Sequence, residues 1–251
     1  MFRDYPLVVF VVSFAVQCAA AYATAFLRRR GAPLSKVAHS DFAVLLPGSL
    51  TLLALIIGFS FSMAVGRYDQ RKDYEEAEAN AIGTEYLRAD LLPPADAGRV
   101  QGLLATYLDQ RILFYRAREE DALERIQAQT SSLQKALWSA VAAPAVAQPT
   151  ATAALVAAGM NDVINSESYT QASWWNRIPA AAWAVMILVA VGSNLLLGAN
   201  EKRAKESTLL ILPLIVSIPL FLVADIDSPR SGLIPVSPDN LTALSQTLKH
   251  S

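Results

Sequence analysis

Four apolar stretches, each of about 20 residues, constrain the fold of this 251-residue chain more than any other feature. About 20 apolar residues in an α-helix, which rises ~1.5 Å per residue, cross the ~30 Å hydrocarbon core of a bilayer. Hydrophobic residues make up 53% of the chain and charged residues only 17%, which is unusual for a soluble protein. We therefore predict an all-α integral membrane protein with four transmembrane helices. The stretches are Leu7–Leu27, Phe42–Gly66, Ile178–Gly198 and Thr208–Ala224.

The first stretch has a second interpretation, because a cleaved signal peptide also contains an apolar segment. Ala19–Ala25 is rich in the small residues that a signal peptidase accepts. The stretch is nevertheless too long for a signal peptide and ends in Arg28, Arg29 and Arg30, a stop-transfer pattern. A transmembrane helix is the favoured interpretation.

The polar region between the second and third stretches predicts a bundle of helices. Charged helix formers follow Gly66 directly and continue to a break at Leu92–Pro94, so the second transmembrane helix is expected to extend into this region. Apolar residues then recur at three- and four-residue steps, which favours helices over Val100–Arg118, from Ile126 to near Pro144, and over Thr150–Ser173. The predicted domains are 1–66 with transmembrane helices 1 and 2, 67–177 with the extramembrane helical domain, 178–225 with transmembrane helices 3 and 4, and 226–251 with a C-terminal tail.

Charge and the scarcity of reactive side chains exclude several function classes. The formal net charge is −1 and no nucleic-acid-binding motif is present, so nucleic acid is not an expected partner. The single cysteine, Cys18, excludes an internal disulfide and a cysteine zinc site, and the two histidines, His39 and His250, leave almost no material for a Ser-His-Asp triad. We expect no catalytic residue, no metal and no cofactor, and predict that the chain is not an enzyme. The acidic residues that come nearest to a catalytic pair are better explained as a charged helix face: Glu75, Glu76, Glu78 and Glu85.

Charged side chains recur along one face of the extended second helix, at alternating four- and three-residue steps. Around a symmetry axis, such a stripe would line a wet vestibule next to a narrower passage through the membrane. The simpler interpretation is an exposed helix surface with local ion pairs such as Arg71 with Glu75, each worth a few tenths of a kcal/mol. The stripe contains Arg67, Arg71, Tyr74, Glu78, Ala81, Glu85 and Arg88.

These segments resemble the bestrophin-like domain family of bacterial membrane proteins, which is distantly similar to bestrophin anion channels. The resemblance is carried by the segment from Gly58 to Pro93, by "HSD" before the second stretch and by "DIDSPRSGLIPVS" after the fourth. It implies a pentamer in the bacterial inner membrane, with four membrane helices per subunit and a helical domain inserted between the second and third. It also implies a pore that is lined by the second helix and is permeable to anions such as chloride.

The resemblance extends to the spacing of residues in the second helix. In bestrophins, Gly-Phe is followed nine positions after the glycine by an arginine and aromatic residues. Gly58, Phe59, Arg67 and Tyr68 fit that spacing. The chain departs from the family where Tyr68 and Asp69 replace a pair of tryptophans.

The same resemblance places a hydrophobic constriction at Thr51, Leu55 and Phe59, which lie one helical turn apart. Thr51 departs from the apolar pattern of the family. Apolar rings of this kind gate by dewetting, and hydroxyl groups beside them help a partly dehydrated ion to pass. The alternative is that Leu55 and Phe59 only pack against neighbouring helices, with Gly58 and Gly66 allowing a close approach. The further residues expected to line the pore or vestibule are Ser60, Ser62, Met63, Arg67, Arg71, Glu78 and Glu85.

Two aspartates follow the fourth stretch, where eukaryotic bestrophins bind calcium. Calcium takes six or more oxygen ligands, so Asp225 and Asp227 are too few on their own. We expect these carboxylates to cap the end of the helix and to hold the "SPRSG" turn.

The orientation follows from the positive-inside rule. The loops "RRRGAPLSK" and "ANEKRAKES" carry most of the basic residues that this rule counts, which places the helical domain outside the cytoplasm. Arg67, Arg71, Lys72 and Arg177 at the edges of that domain count against this orientation.

The sequence indicates two alternative functions of different classes. The first is an oligomeric, passive ion channel. The second is a non-conducting membrane scaffold or sensor whose helical domain binds a protein partner, which is favoured by the alanine-rich stretch Ala136–Met160.

Overall fold

The structure, a computed structural model, describes residues 5–31, 36–200 and 206–250. In these ranges the chain forms eight α-helices and no strand, which confirms the all-α prediction. A short 3₁₀ turn, Ala89–Leu91, follows the second helix. The helices are α1 (Pro6–Arg30), α2 (Lys36–Arg88), α3 (Pro94–Arg116), α4 (Glu120–Ala147), α5 (Ala151–Trp175), α6 (Ala180–Asn200), α7 (Glu206–Asp227) and α8 (Asp239–His250).

Four segments of the described chain are long and apolar enough to cross a membrane, which confirms the predicted number. In α2 the apolar sequence ends at Gly66, so we take the membrane-spanning part of this helix to end there. Pro47 lies inside α2, and Pro213 and Pro219 lie inside α7, without ending either helix. The four segments are Pro6–Arg30, Val44–Leu91, Ala151–Ala199, which begins with α5 and continues through α6, and Leu209–Asp227.

The chain divides into two compact units. The membrane unit comprises the described residues of Met1–Arg67 and Arg177–Pro235. The helical unit comprises those of Tyr68–Asn176 and Val236–Ser251. The basic loops that predict the orientation include residues 32–35 and 201–205, which lie outside the described residues, so the orientation stays a prediction.

In the membrane unit, α1 packs against both α6 and α7. A buried polar trio joins these helices. Asn194 Nδ2 donates to Gln17 Oε1 at 2.9 Å, and Gln17 Nε2 donates to Ser217 Oγ at 3.1 Å. Because hydrocarbon offers no hydrogen-bonding partner, these bonds favour association of the three helices.

Close packing of α1 on α6 depends on one glycine. A Cβ atom at Gly198 would collide with Thr24 Oγ1 and with the carbonyl oxygen of Ala21. The sequence suggested that Gly58 and Gly66 allow neighbouring helices to approach closely. At both positions, however, a Cβ would meet no atom of the described protomer within 4 Å. The tight helix contact in this unit is therefore at Gly198.

The two aspartates after α7 organise the backbone around them. The Asp225 carboxylate accepts hydrogen bonds from the backbone N–H groups of Leu233 at 2.6 Å and Ile234 at 3.1 Å, which closes the turn. Asp227 accepts from the N–H of Ile178 at 3.1 Å. Asp225 therefore holds the turn as expected from the sequence, whereas Asp227 binds the backbone before α6 instead of capping α7 or holding the turn.

In the helical unit, α3 packs against α4 and α8, and α4 packs against α5. The apolar periodicity of α3 explains its position, since Val100, Leu104 and Tyr107 recur at three- and four-residue steps and are all fully buried. α3 ends at Arg116 rather than Arg118, and α4 continues to Ala147, one turn beyond Pro144.

The C-terminal helix α8 was not predicted from the sequence, which indicated only a tail over 226–251. Its N-terminus is stabilised by a side chain of α2. Glu75, which is buried, accepts from the backbone N–H of Leu241 at 2.9 Å and from Asn240 Nδ2 at 2.6 Å. The carboxylate satisfies a backbone donor in the first turn and places negative charge at the positive end of the helix dipole.

Replacing Glu75 by alanine is expected to loosen α8 and to lower the free energy of unfolding of the helical unit by about 1–3 kcal/mol, because a buried N–H loses its acceptor. Hydrogen exchange of the α8 amides, measured by mass spectrometry, checks this. Glu76→Ala is the matched control, since Glu76 is exposed on the same helix. Equal exchange of α8 in both variants would contradict the role given to Glu75.

Candidate permeation path along α2

The membrane-spanning part of α2 carries a row of large exposed side chains. Leu55 is 55% exposed and Phe59 is 64% exposed in the protomer, and Thr51 is exposed one turn before them. Residues four apart lie on the same face of an α-helix. The structure thus brings together, on one exposed face, the three residues predicted to form a constriction.

Of the three residues predicted to line the pore beside this constriction, two continue the exposed surface. Ser62 is exposed and Met63 is 44% exposed. Ser60 is 4% exposed and therefore faces the interior of the membrane unit. The structure does not bring Ser60 together with the others.

The hydroxyl group of Thr51 is already engaged in the helix. Thr51 Oγ1 donates to the carbonyl oxygen of Pro47 at 2.9 Å. Such a bond back to the preceding turn is common for threonine in apolar helices. In this rotamer, Thr51 presents its methyl group and oxygen lone pairs to the surroundings rather than its hydroxyl proton.

The first charged residue of the predicted stripe lies at the end of the apolar part of α2. Arg67 Nη1 lies 3.8 Å from Asp227 Oδ1, and the Arg67 side chain is 16% exposed. This ion pair joins α2 to the end of α7 within the membrane unit. Asp227 also accepts the Ile178 N–H, so one carboxylate connects three segments of this unit.

Of the other charged residues of the stripe, Arg88 is partly exposed and three face the interior of the helical unit. Arg71, Glu78 and Glu85 are each 0% exposed. Arg71 donates from Nε to the carbonyl oxygen of Ser173 at 3.3 Å and from Nη2 to that of Asn176 at 3.1 Å. Arg71 therefore satisfies carbonyl groups that the end of α5 leaves without helical partners.

Glu78 is the centre of a buried network that links α2, α3 and α5. Arg111 Nε donates to Glu78 Oε1, and Thr170 Oγ1 and the Tyr115 hydroxyl donate to Glu78 Oε2 at 3.1 and 3.3 Å. Arg111 Nη1 also lies 3.7 Å from Glu167 Oε1. One buried guanidinium therefore partly neutralises two carboxylates. The hydroxyl groups of Tyr115 and Thr170 add hydrogen bonds to the Glu78 carboxylate.

The protonation states in this network follow from its surroundings. Burial would lower the pKa of Arg111, but Glu78 beside it holds that pKa above its ordinary value. Burial, with Glu78 nearby, raises the pKa values of Tyr107 and Tyr115. Arg111 therefore stays charged and both phenols stay neutral at physiological pH. The hydrogen bonds and ion pairs of this network connect α2, α3 and α5 within the helical unit.

The exposed residues of the charged half of α2 differ from those of the predicted stripe. Asp69, Asp73, Glu76 and Asn80 are exposed in the helical unit at four- and three-residue steps. Sequence reasoning missed this row because it followed the mixed-charge stripe. The sequence signal that could have predicted it is Ile82. This apolar residue is buried and lies one helical turn from Glu78, so both residues are on the buried face of α2.

Among the described residues, no group of three or more His, Cys, Asp or Glu side chains is arranged to hold a metal ion.

Comparison with known protein families shows which family this chain belongs to. The family model of the Bestrophin-like domain matches residues 9–241. The chain belongs to the Bestrophin-like family. This confirms the resemblance that the segment from Gly58 to Pro93 indicated.

Solved structures with the same fold include bestrophin homologues. A bacterial bestrophin homologue from Klebsiella pneumoniae is 13% identical with a TM-score of 0.62, and the match covers 97% of this chain and 96% of that chain. A substituted variant of the Klebsiella homologue is 12% identical with a TM-score of 0.62, covering 96% and 94% of the two chains. A variant of a protein described only as a membrane protein is 12% identical with a TM-score of 0.65, covering 97% of each chain. At 12–13% identity these likenesses show the bestrophin fold.

A search of the curated proteins gives no match. The family assignment supports a channel kind of function in a lipid bilayer, because the bestrophin family is a channel family rather than an enzyme family.

Proposed function

We propose that this Bestrophin-like protein is a passive anion channel, formed by several copies, five by the family resemblance, around a shared axis. The exposed face of α2 with Thr51, Leu55 and Phe59 lines the narrow part of the passage. The observation that carries the proposal is the exposure of Leu55 and Phe59, one turn apart on the same face of a membrane helix.

The chemistry of these side chains suits a hydrophobic gate. Rings of leucine and phenylalanine in a narrow passage repel water and so raise the barrier to ion entry. Ser62 supplies a hydroxyl group next to the constriction, where an ion regains part of its hydration. Arg71, Glu78 and Glu85 are not included in the proposed passage because their side chains are buried in the helical unit.

Replacing Phe59 by alanine is expected to raise the ion flux several-fold, because it removes the largest apolar side chain from the constriction. The measurement is efflux of chloride or iodide from liposomes that contain the purified protein. Phe26→Ala is the matched control, since Phe26 is 51% exposed on α1, another membrane helix. No flux of any ion from a protein shown to be oligomeric would end the channel proposal, and an equal rise in both variants would end the role of Phe59.

Anion selectivity is the finer part of the proposal and is supported by the resemblance of α2 to the second helix of bestrophin anion channels. The reversal potential in a potassium chloride gradient tests it separately. A reversal potential near the equilibrium potential of chloride supports anion selectivity. A reversal potential near the equilibrium potential of potassium would show that the channel is cation-selective instead. We also propose a bacterial inner-membrane location, with the helical unit outside the cytoplasm as the basic loops predict.

A membrane scaffold or sensor is the second candidate function. It is favoured by large apolar side chains that are exposed on the helical unit, where Trp138 is 45%, Val146 82% and Leu155 47% exposed. Where such side chains form a contiguous patch, they often mark a protein interface. Chemical crosslinking that recovers a stable heterologous partner, together with a monomeric or dimeric protein, would favour this function over the channel.

A further inference from the structure

Three carboxylates of α2 are buried in the helical unit, and one of them differs from the others. Glu75 accepts hydrogen bonds from α8, and Glu78 accepts them from α3 and α5. Glu85 is 0% exposed, yet within the described residues neither of its carboxylate oxygens accepts a hydrogen bond. An ionised carboxylate without donors in such a place is costly, so this side chain favours its protonated form.

The surroundings of Glu85 are formed by its own helix and by α5. Arg88 Nη1 lies 3.8 Å from Glu85 Oε2, and the Arg88 side chain is partly exposed. From α5, the backbone of Gly159 lies so close that a Cβ there would collide with both side chains. Asp162 on α5 is the other charged group that acts on this carboxyl.

These contacts couple the charge on Glu85 to the position of α5. The ionised form requires water or a better-placed cation, and the backbone of Gly159 packs directly against the carboxylate and the Arg88 guanidinium. We propose that proton uptake and release at Glu85 controls how tightly α5 packs against α2, so that the helical unit responds to pH. Protonation closes the contact and deprotonation loosens it.

The pH range follows from the same surroundings. Burial raises the pKa of Glu85 from 4.5 to about 7, while Arg88 lowers it and Asp162 raises it further. The folded-state pKa lies above the unfolded one, so the proton is bound more tightly in the folded state. The stability of the helical unit is therefore expected to fall as the pH rises from 4.5 through about 7.

Hydrogen exchange of the α5 amides at pH 6 and pH 8, corrected for the intrinsic effect of pH, tests the proposal in the full-length protein. With a pKa of about 7, the ionised fraction of Glu85 rises from about one tenth to about nine tenths, so we expect exchange around Gly159 to become up to about tenfold faster. Glu85→Gln should exchange slowly at both pH values. The matched control Glu76→Gln should behave as the wild type, since Glu76 is exposed.

Two results would overturn the proposal: α5 exchange in the wild type that does not change with pH, or a change that persists in Glu85→Gln. If Glu85→Gln does not fold, the infrared band of a protonated buried carboxyl can be followed in the wild type. Loss of this band with a midpoint near pH 7 supports the proposal, and a midpoint near 4.5 refutes it. None of these measurements uses ion flux, so their outcome is independent of the channel proposal.

Discussion

Replacing Arg111 by methionine is expected to lower the free energy of unfolding of the helical unit by about 3–5 kcal/mol, or to prevent its folding. Arg111 is 1% exposed and lies between Glu78 and Glu167. Methionine fills a similar volume but leaves both carboxylates without their cation in a site of low polarity. Breaking a buried ion pair from one side costs more than the pair contributes, because the remaining charge loses its solvation as well as its partner.

Tryptophan fluorescence in a urea titration of the detergent-solubilised protein measures this effect. Trp174 lies in the same core, with its ring 5.0 Å from that of Phe114, so its emission should report loss of packing there. Arg99→Met on the exposed side of α3 is the matched control. A second variant, Arg111→Met combined with Glu78→Leu, should recover part of the loss. A midpoint for Arg111→Met equal to that of the control would show that the charge is not buried in the folded protein.

The membrane helices could be predicted closely from the sequence because their signal is local. A run of about 20 apolar residues has few alternatives to a transmembrane helix. The predicted spans Leu7–Leu27 and Ile178–Gly198 lie within three residues of the bounds of α1 and α6 at each end. The continuation of α2 beyond Gly66 could also be predicted, since no proline lies between Gly66 and Pro93.

The inward side of the charged half of α2 could not be predicted in the same way. Arg71 and Glu78 look like surface residues in a helical pattern, because burial of a charge depends on donors and acceptors from other helices. For Glu78 these partners are Arg111 of α3 and Thr170 of α5, and for Arg71 they are the carbonyl oxygens of Ser173 and Asn176, all far away in the chain. α8 was missed for a related reason, since its first turn depends on Glu75 of α2.

In the membrane unit, the close helix contact at Gly198 is another feature that the sequence alone could not predict. Glycine is common in transmembrane helices, and the sequence does not tell which glycine is at a contact. Gly58 and Gly66 attract attention because they flank Phe59 and Arg67, yet in the described protomer nothing would meet a Cβ at either position. The close contact is set by the crossing of α1 and α6, which only the packed structure shows.

Replacing Gly198 by valine is therefore expected to lower the free energy of unfolding of the membrane unit by about 3 kcal/mol, the upper end of the range for overpacked cores. The new Cβ would collide with the carbonyl oxygen of Ala21, a backbone atom that cannot move aside without shifting α1. Any shift of α1 also strains the hydrogen bonds of Gln17 with Asn194 and Ser217. The thermal unfolding midpoint in detergent and the yield of monodisperse protein measure the loss.

The matched control is Gly192→Val, which adds the same side chain to the same helix at a position where a Cβ would meet no atom of the described residues within 4 Å. A lower midpoint in Gly198→Val alone assigns the loss to the α1–α6 contact rather than to the β-branched residue. Thr24→Ala in the Gly198→Val background separates the two obstacles, because it removes Thr24 Oγ1 but leaves the Ala21 carbonyl in place. Full rescue by Thr24→Ala would contradict the backbone collision, whereas little or no rescue is the result that the close approach of the two helices requires.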